Sequence, residues 1–458
     1  MKLPANTEHG PDPGTLIACV AIDVPLSTLF DYLVPADLQV APGDRVIVPF
    51  GRLRRIGVVV EMLARSEVPA EKLKSVLELR ADAPRLPADW LELMRFLAGY
   101  YQRPLGETVI SSLPPRLRAV RPLPGARRRR AADPVPAPEA SADLAFHAPH
   151  ALSADQSAAV AAVEGAPPGF RCFVLHGITG SGKTEVYLHL AAQVAARGGQ
   201  TLVLVPEISL TPQLEARFRK AFPGTAVAVM HSGLEDTPRT AAWLAAVRGE
   251  ARIILGTRLA VLAPLPKLAL VVVDEEHDPS FKQQDGLRYS GRDVAVMRAK
   301  LAGCPVLLGS ATPSFETWHH CDTGRYQRLA LPLRAAPGAQ LPTVRILDIA
   351  REKMDHGMAQ PLLDAIALRL SRGEQSLIFI NRRGYAPVLA CPACGWAAGC
   401  ERCTGHLVLH AVDRRLRCHH CGAESGIPRA CPTCGNVDLK PLGRGTQRVE
   451  EALAARFP

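Results

Sequence analysis

Residues 177–184 have the types and spacing of a phosphate-binding loop. They read Gly-Ile-Thr-Gly-Ser-Gly-Lys-Thr, which matches G-x-x-x-x-G-K-[ST], and they follow an apolar run and open a helical stretch. In such a loop the backbone N–H groups surround a phosphate at a helix N-terminus, where the helix dipole also favours negative charge. We expect ATP and Mg²⁺ here, with Lys183 on the β- and γ-phosphates and Thr184 on the metal. The candidate cofactor-binding residues are Gly177, Gly180, Gly182, Lys183 and Thr184.

An acidic group, Asp274-Glu275-Glu276-His277, directly follows the apolar run at residues 268–273. Carboxyl ends of parallel strands share one edge of a sheet, so these side chains should lie beside the phosphate-binding loop. We expect Asp274 to bind the metal and Glu275 to polarise the attacking water. The alternative is an ordinary exposed acidic strand end. Three carboxylates and a histidine straight after a fully apolar strand disfavour it.

Eight of the twelve cysteines form four Cys-x-x-Cys pairs, enough thiolates for two tetrahedral zinc sites. Residues 406–410 and 414–417 read as two strands around a turn, and this hairpin would bring the inner four cysteines together and leave the outer four for a second site. His419 and His420 are alternative ligands, and an iron–sulfur cluster is the chemical alternative to zinc. The region is either a binding platform or a purely structural insertion. The candidate ligands to two zinc ions are Cys391, Cys394, Cys400, Cys403, Cys418, Cys421, Cys431 and Cys434.

Hydrophobic patterning indicates which elements position these groups. Short strands between residues 15 and 61, followed by a helix over 87–101, predict a small N-terminal β domain. From residue 171 apolar runs alternate with helical stretches, which is typical of a parallel sheet covered on both faces. These runs are 172–175, 201–205, 251–255, 268–273 and 306–308, and a second set begins with 344–347 and 376–380.

Composition excludes several classes of protein. The 458 residues are 47% hydrophobic, which excludes a wholly disordered chain. No run approaches the roughly 18 apolar residues of a membrane-spanning helix, and residues 1–14 lack the apolar stretch of a secretory signal. The formal charge of +10 makes nucleic acid a candidate partner. We expect a cytoplasmic, nucleoid-associated protein with no membrane partner.

The acidic group, taken with Gly309-Ser310-Ala311-Thr312-Pro313, resembles the pattern of the DExH helicases of superfamily 2. The segments 204–207, 231–233 and 256–258 resemble further family segments and occur in the family's order. The resemblance implies a RecA-like helicase lobe in which Ser310 and Thr312 couple hydrolysis to strand movement. It also places Arg258 along the track of the nucleic acid.

Residues 279–289 and 291–295 resemble an aromatic-rich, DNA-sensing loop of the primosomal replication-restart helicases. Phe281 and Tyr289 would stack on bases, while Lys282, Arg288 and Arg292 would meet phosphates. The alternative is a packed surface loop whose aromatic residues are incidental to DNA.

The segments 28–35, 43–51 and 73–76 resemble the domain with which that family binds a DNA 3′ end. The resemblance implies a pocket lined by Phe30, Asp31 and Lys74, which would supply a stacking ring, a carboxylate acceptor and a cation for phosphate. From the residues alone, Phe30 reads as a core aromatic and Asp31 as a turn residue.

The chain also departs from this family. Residues 114–149, which include four arginines at 127–130, read as a linker where a winged-helix domain would follow. Residues 381–385 resemble the first motif of the second motor lobe, but no Q-x-x-G-R-x-G-R segment supplies an arginine finger. We expect the chain to lack the C-terminal part of that lobe.

The predicted fold is α/β, with the small N-terminal β domain, the RecA-like P-loop lobe and an eight-cysteine insertion in a partial second lobe. Six segments are predicted: a 3′-end-binding domain over 1–113, a linker over 114–149, lobe 1 over 150–335, the start of lobe 2 over 336–390, the two-zinc insertion over 391–434, and more of lobe 2 over 435–458.

The resemblance implies one function, and the incomplete second motor lobe leaves a second one open. The first is an ATP-dependent 3′–5′ DNA helicase that recognises stalled or repaired forks and initiates primosome assembly. The second is a fork-binding primosome scaffold that binds ATP but does not unwind DNA. The implied partners are forks, single strands and 3′ ends of DNA, primosome proteins, the replicative helicase loader and single-strand-binding protein.

Overall fold

The computed structural model describes residues 16–123, 145–206, 211–335, 338, 342–349, 354–355, 357–379, 388–410, 415–442 and 446–457. The arginine run at 127–130, Glu207 and the motif at 381–385 lie outside the described residues. The chain divides into two compact units, Met1–Ala339 and Gln340–Pro458. No helix in the described part of the chain is long and apolar enough to cross a membrane.

The first unit begins with a six-stranded sheet of order β5-β2-β1-β4-β3-β6. Side chains alternate between its faces, so that Val46 and Val48 pack into one cluster and Ile47 into another. The strands are β1 (Ile17–Ile22), β2 (Phe30–Leu33), β3 (Arg45–Phe50), β4 (Leu53–Leu63), β5 (Lys74–Ser75) and β6 (Glu78–Arg80).

Three helices follow this sheet: α1 (Ala88–Tyr100), α2 (Leu105–Ser111) and α3 (Pro115–Arg118). The apolar face of α1 is buried as its spacing predicts. The linker interpretation does not describe residues 114–123, because Leu117 is fully buried and Arg80 Nη1 donates to Val120 O at 2.7 Å. A proline-started turn of helix places that leucine in the core.

A seven-stranded parallel sheet of order β13-β7-β12-β11-β8-β10-β9 completes the first unit, which confirms the predicted α/β fold. The sequence did not predict β9 and β13, which lie at the two edges and carry fewer buried residues. The strands are β7 (Arg171–Gly177), β8 (Gln200–Leu204), β9 (Val227–Met230), β10 (Ile253–Gly256), β11 (Leu268–Asp274), β12 (Pro305–Ser310) and β13 (Gln327–Leu331).

Helices cover both faces of this sheet, and they are α4 (Ala154–Glu164), α5 (Lys183–Ala196), α6 (Thr211–Ala221), α7 (Asp236–Val247), α8 (Gly291–Ala302) and α9 (Phe315–Asp322). The N-terminal sheet and the parallel sheet share one hydrophobic cluster. Trp90 on α1 is buried there, and its Nε1 donates to Leu262 O at 2.6 Å.

The second unit contains a five-stranded antiparallel sheet of order β19-β18-β17-β16-β20. Its elements are β14 (Met354–Asp355), β15 (Met358–Ala359), α10 (Gln360–Ser371), β16 (Val388–Ala390), β17 (Leu407–His410), β18 (Arg415–Cys418), β19 (Glu424–Gly426), β20 (Lys440–Leu442) and α11 (Thr446–Arg456). The pairing of β17 with β18 confirms the predicted hairpin.

The strands predicted at 344–347 and 376–380 are wrong over the residues described, 344–347 and 376–379, which are not in strands. Ile346 and Leu377 are 95% and 96% exposed. An apolar run forms a buried parallel strand only where neighbouring strands pair with it. The described part of the second unit pairs no strand with either run.

Candidate nucleotide, metal and nucleic-acid sites

The phosphate-binding loop joins the end of β7 at Gly177 to the start of α5 at Lys183. Gly180 and Gly182 have φ angles of 79° and 80°, in the left-handed region that favours glycine. A Cβ on Gly182 would also lie 2.3 Å from Gln156 Nε2. The glycines therefore give the loop a curvature that other residues would strain or block, and its N–H groups suit a nucleotide phosphate at the helix N-terminus.

The ammonium group of Lys183 is held inside this loop. Lys183 Nζ donates to Gly177 O at 3.1 Å and lies 3.5 Å from Glu275 Oε1. Glu275 itself has a φ of 47°, a conformation that costs a non-glycine residue about 1 kcal/mol. The strain places its carboxylate over the loop, within reach of a group bound there.

Asp274 ends β11 and is anchored from α5. Tyr187 OH donates to Asp274 Oδ1 at 2.9 Å, and burial raises the pKa of this carboxyl above its ordinary value. Tyr187 is fully buried, and a Cβ on Gly309 would lie 1.8 Å from its hydroxyl oxygen. Tyr187 is not among the residues predicted from the sequence, since only tertiary contact distinguishes it from a core aromatic.

His277 links the acidic group to the end of β12. Its Nδ1 lies 2.8 Å from Ser310 Oγ, and its Nε2 lies 3.4 Å from Thr312 Oγ1. The same Nδ1 is 3.6 Å from Glu275 Oε2. Contacts therefore run without a break from Lys183 through Glu275 and His277 to Ser310 and Thr312, so the structure brings all the candidate catalytic side chains to one sheet edge.

Glu276 has a different role from its neighbours, because its side chain is completely buried. Its carboxylate accepts from Ser314 N at 2.7 Å, from Thr317 Oγ1 at 2.9 Å and from Arg292 Nη1 at 3.2 Å. Arg292 also pairs with Asp293 at 2.8 Å. The carboxylates of Glu276 and Asp293 thus engage the Arg292 guanidinium, which was predicted to contact a DNA phosphate. The buried Glu276 carboxylate connects α8 to α9.

Gln156 supports the phosphate-binding loop from α4. Its Nε2 donates to Ser181 O at 2.9 Å, and its Oε1 accepts from Ser153 N at 2.8 Å. Ser153 caps the helix in return, which completes a capping box. The Ser-x-x-Gln spacing is the signal in the sequence that indicates this capping box, although Gln156 is not among the predicted site residues.

The eight cysteines form two groups of four, the inner and outer sets that the hairpin predicts. In each group the four Sγ atoms lie within 4.8 Å of one another, and neighbouring pairs are 3.5–3.6 Å apart. Thiolates around zinc, with Zn–S bonds near 2.3 Å, would be about 3.8 Å apart, so the donor sets fit the metal. His419 lies outside both groups and stacks on His410. The groups are Cys391, Cys394, Cys431 and Cys434, and Cys400, Cys403, Cys418 and Cys421.

The loop over residues 278–290 corrects the stacking prediction, because Phe281 and Tyr289 are each only 2% exposed. Tyr289 OH donates to Arg258 O at 3.1 Å. Arg258 in turn donates to Gln283 Oε1 at 2.5 Å and to Ser280 O at 2.8 Å. A ring in the core cannot stack on a base unless the loop unpacks. Phe281 and Tyr289 therefore stabilise the loop and are not available to contact DNA.

The three candidate 3′-end residues lie on neighbouring strands of the N-terminal sheet. Phe30 packs edge-on against Phe50, with ring centroids 5.2 Å apart, and Asp31 accepts from Ser66 Oγ at 2.5 Å. Consecutive strand residues face opposite sides of a sheet, so these two side chains leave β2 in opposite directions. Lys74 is exposed on β5, which pairs with β2.

Comparison with known proteins separates three parts of the chain. Residues 19–114 match the 3′ DNA-binding domain (3′BD) of PriA, and residues 153–320 match the DEAD/DEAH box helicase family. Residues 400–425 match the Cys-rich region (CRR) domain of the PriA DNA helicase. The helicase match covers the phosphate-binding loop, the acidic group and the Ser310 segment.

Whole proteins match over nearly all of the chain. Replication restart protein PriA of Haemophilus influenzae is 35% identical over 504 residues, which cover 96% of this chain and 69% of that protein. The Rickettsia conorii protein of the same name is 35% identical over 443 residues, covering 95% and 65%. The chain spans about two thirds of the length of these relatives.

Among solved structures, the Hef helicase domain of Pyrococcus furiosus is 21% identical, with a TM-score of 0.30 over 40% of this chain and 38% of that one. Family membership rests instead on the sequence matches, which carry the phosphate-binding loop, the DNA-binding domain and the cysteine region together. The chain belongs to the family of replication restart protein PriA.

Proposed function

We propose that this protein is an ATP-dependent DNA helicase that moves 3′ to 5′, recognises stalled or repaired replication forks and initiates primosome assembly for replication restart. It acts in the cytoplasm, at the nucleoid. The run of contacts from Lys183 to Thr312 carries the proposal, because it connects the nucleotide end of the lobe to the Ser-Ala-Thr segment. The relatives of this chain are named as replication restart proteins, which also supports the proposal.

The residues divide the work of hydrolysis between binding and proton transfer. Lys183 exchanges its carbonyl and carboxylate partners for the β- and γ-phosphate oxygens of ATP. Glu275 orients the attacking water and accepts its proton as the oxygen adds to the γ-phosphorus, while the bond from that phosphorus to the β,γ-bridging oxygen breaks and ADP leaves. Thr184 and Asp274 would hold Mg²⁺, which would neutralise charge on the phosphates.

His277 makes the Ser310 segment sensitive to what occupies the site. Glu275 and Ser310 both contact its Nδ1, so a shift of the Glu275 carboxylate towards water changes a contact that reaches β12. Thr312 Oγ1 contacts the second ring nitrogen. Ser310 and Thr312 thereby transmit nucleotide state to the bound strand.

Two zinc ions, one in each cysteine group, stabilise the second unit as a structural platform. The N-terminal domain binds the 3′ end of DNA, with the exposed Lys74 as its cation for phosphate. Primosome proteins, the replicative helicase loader and single-strand-binding protein are the proposed protein partners.

A fork-binding scaffold that binds ATP without unwinding is the second candidate. The unpaired runs at 344–347 and 376–379 favour it, because the described residues of the second unit form no parallel sheet. Under this proposal the chain binds forks and nucleotide, and hydrolysis is not coupled to strand separation.

The test measures ATP turnover with and without single-stranded DNA, and unwinding of forks with 3′ or 5′ tails, for the wild type, Lys183→Ala and Lys267→Ala. Lys267 is exposed at the opposite end of β11 and serves as the matched control. We expect DNA-stimulated turnover and unwinding that only Lys183→Ala abolishes. Unchanged turnover in Lys183→Ala would refute the phosphate site, and fork binding without wild-type turnover would establish the scaffold.

A further inference from the structure

The C-terminal end of α1 is joined to the outer side of the loop over residues 278–290. Tyr101 OH accepts from Ser290 N at 3.1 Å, and Lys282 Nζ lies 5.3 Å from the centroid of the Tyr101 ring. Arg103 Nη1 donates to Gly286 O at 3.5 Å. The loop therefore shares one surface with a helix end that no sequence motif marks as a binding site.

Tyr100 stands on this surface and is 68% exposed. Its ring stacks on Phe96, with centroids 5.3 Å apart and an interplanar angle of 24°, and meets Tyr101 edge-on at 4.9 Å. Two aromatic neighbours hold the ring in one orientation while most of it remains open to solvent. An exposed aromatic ring that its neighbours orient in this way suits a planar ligand.

The charges beside this ring identify the class of ligand. Lys282 and Arg288 are both exposed, and Lys282 Nζ donates to Arg288 O at 2.6 Å. Arg103 is neutralised by Glu107 at 2.5 Å, and the loop also carries an exposed Asp285. The net charge is modest, so the ring supplies most of the affinity and the two cations add contacts to phosphates. An aromatic ring flanked by cations is the combination that binds single-stranded nucleic acid.

We propose that Tyr100, supported by Phe96 and next to the Tyr101 ring that Lys282 contacts, is a base-stacking site for single-stranded DNA. The inference rests on the proposed function, because it assumes that DNA passes this side of the motor lobe. It transfers the stacking role from the buried Phe281 and Tyr289 to the exposed ring beside the same loop. Inside a duplex every base is stacked on both faces, so the site distinguishes single strands from the interior of a duplex.

The test compares the full chain with Tyr100→Leu, which keeps apolar bulk but removes the π-face, and Tyr100→Phe, which keeps it. The probe is an oligothymidylate containing one 2-aminopurine, with a blunt duplex as the control ligand. We expect Tyr100→Leu to weaken oligothymidylate binding about 5- to 150-fold, corresponding to about 1–3 kcal/mol, and to lose the fluorescence change that stacking produces. Tyr100→Phe should bind like the wild type, and duplex affinity should not change.

Lys282→Ala tests the cationic part separately, and it should lower the slope of log K against log salt by about 0.7. Unchanged oligothymidylate binding by Tyr100→Leu would overturn the site, and so would equal losses in Tyr100→Leu and Tyr100→Phe. If the wild type itself bound no single strand, the proposed function would fail together with the site. Thermal melting of each variant verifies folding, which an exposed side chain should leave unaffected.

Discussion

The nucleotide site and the cysteine groups gather reactive side chains in opposite ways. Around the nucleotide site, β7, β11 and β12 bury Val174, Val272 and Leu308 completely, so an apolar core holds the site in place. In the cysteine region the cluster of buried residues is small and includes a candidate ligand, Cys418. The first region folds around an apolar core and binds its ligand afterwards, whereas the fold of the second region depends on the metal.

The difference concerns what the side chains do when nothing is bound. Lys183 and Glu275 pair with each other, and Tyr187 donates a hydrogen bond to Asp274. The charged groups of the nucleotide site therefore have partners within the protein. The cysteine thiols lie against one another, and the further hydrogen bonds to them come from neutral N–H groups such as Arg402 N, Gly405 N and Asn436 Nδ2. Stability should therefore depend on ligand in one region and not in the other.

Zinc removal should produce the largest effect. A chelator at neutral pH should unfold residues 388–442, because structural zinc contributes about 10–16 kcal/mol to domains of this kind. Hydrogen exchange should show loss of protection in β16–β18 and unchanged protection in β7, β11 and β12. Equal loss in both regions would contradict the comparison.

Metal content provides a matched pair of variants for the same prediction. Elemental analysis should give two zinc ions for the wild type and about one for Cys418→Ser, which lacks a ligand of the inner group. Cys304→Ala, a change at a buried cysteine of the first unit, should retain two. Loss of zinc from Cys304→Ala would show that the metal lies elsewhere.

The second prediction concerns catalysis in the nucleotide site. Glu275→Gln should lower DNA-stimulated ATP turnover about 10²- to 10⁴-fold, because an amide cannot accept the proton of water. Affinity for a fluorescent ATP analogue should be retained. The free energy of unfolding should change by less than about 1 kcal/mol, since the side chain is partly exposed. Turnover within a few-fold of the wild type would remove Glu275 from the reaction.

How far the sequence predicted these regions depends on the range of the contacts. The phosphate-binding loop, Asp274 and the cysteine pairs are contiguous motifs at a strand end or on a hairpin, where topology alone determines their neighbours. Tyr187 and Gln156 reach the site from helices, and the local sequence pattern does not show which distant residues a helical side chain will contact. The resemblance identified the segment at 279–289, but whether the Phe281 side chain is buried is a tertiary property.

Glu276→Ala should have a smaller effect, and on stability rather than chemistry. It leaves Ser314 N, Thr317 Oγ1 and Arg292 without their shared acceptor, so we expect a loss of about 2–4 kcal/mol in the free energy of unfolding. Denaturant unfolding of the first unit measures it, with Glu275→Gln as the control. If Glu276→Ala were as stable as Glu275→Gln, the two adjacent carboxylates would not divide structure from chemistry as proposed.

The smallest expected effect concerns ion pairs that stabilise the first unit without a ligand. Asp82 lies between two guanidinium groups, 2.5 Å from Arg45 Nη2 and 2.8 Å from Arg80 Nη2. Burial alone would raise the pKa of this carboxyl, but the hydrogen bond from Arg80 and the charge of Arg45 outweigh it and lower the pKa to about 2.

A depressed pKa contributes stability that is complete above the unfolded value near 4 and is lost as pH falls towards 2. A shift of this size corresponds to about 2 kcal/mol. Asp82→Asn should therefore be about 2 kcal/mol less stable at pH 7 and lose less stability than the wild type between pH 5 and pH 2. Asp37→Asn, at an exposed carboxyl of the same sheet domain, is the control. If both variants followed the wild-type pH profile, the acid sensitivity of the first unit would come from other carboxylates. The apolar core alone would then account for the stability of the first unit without ligand.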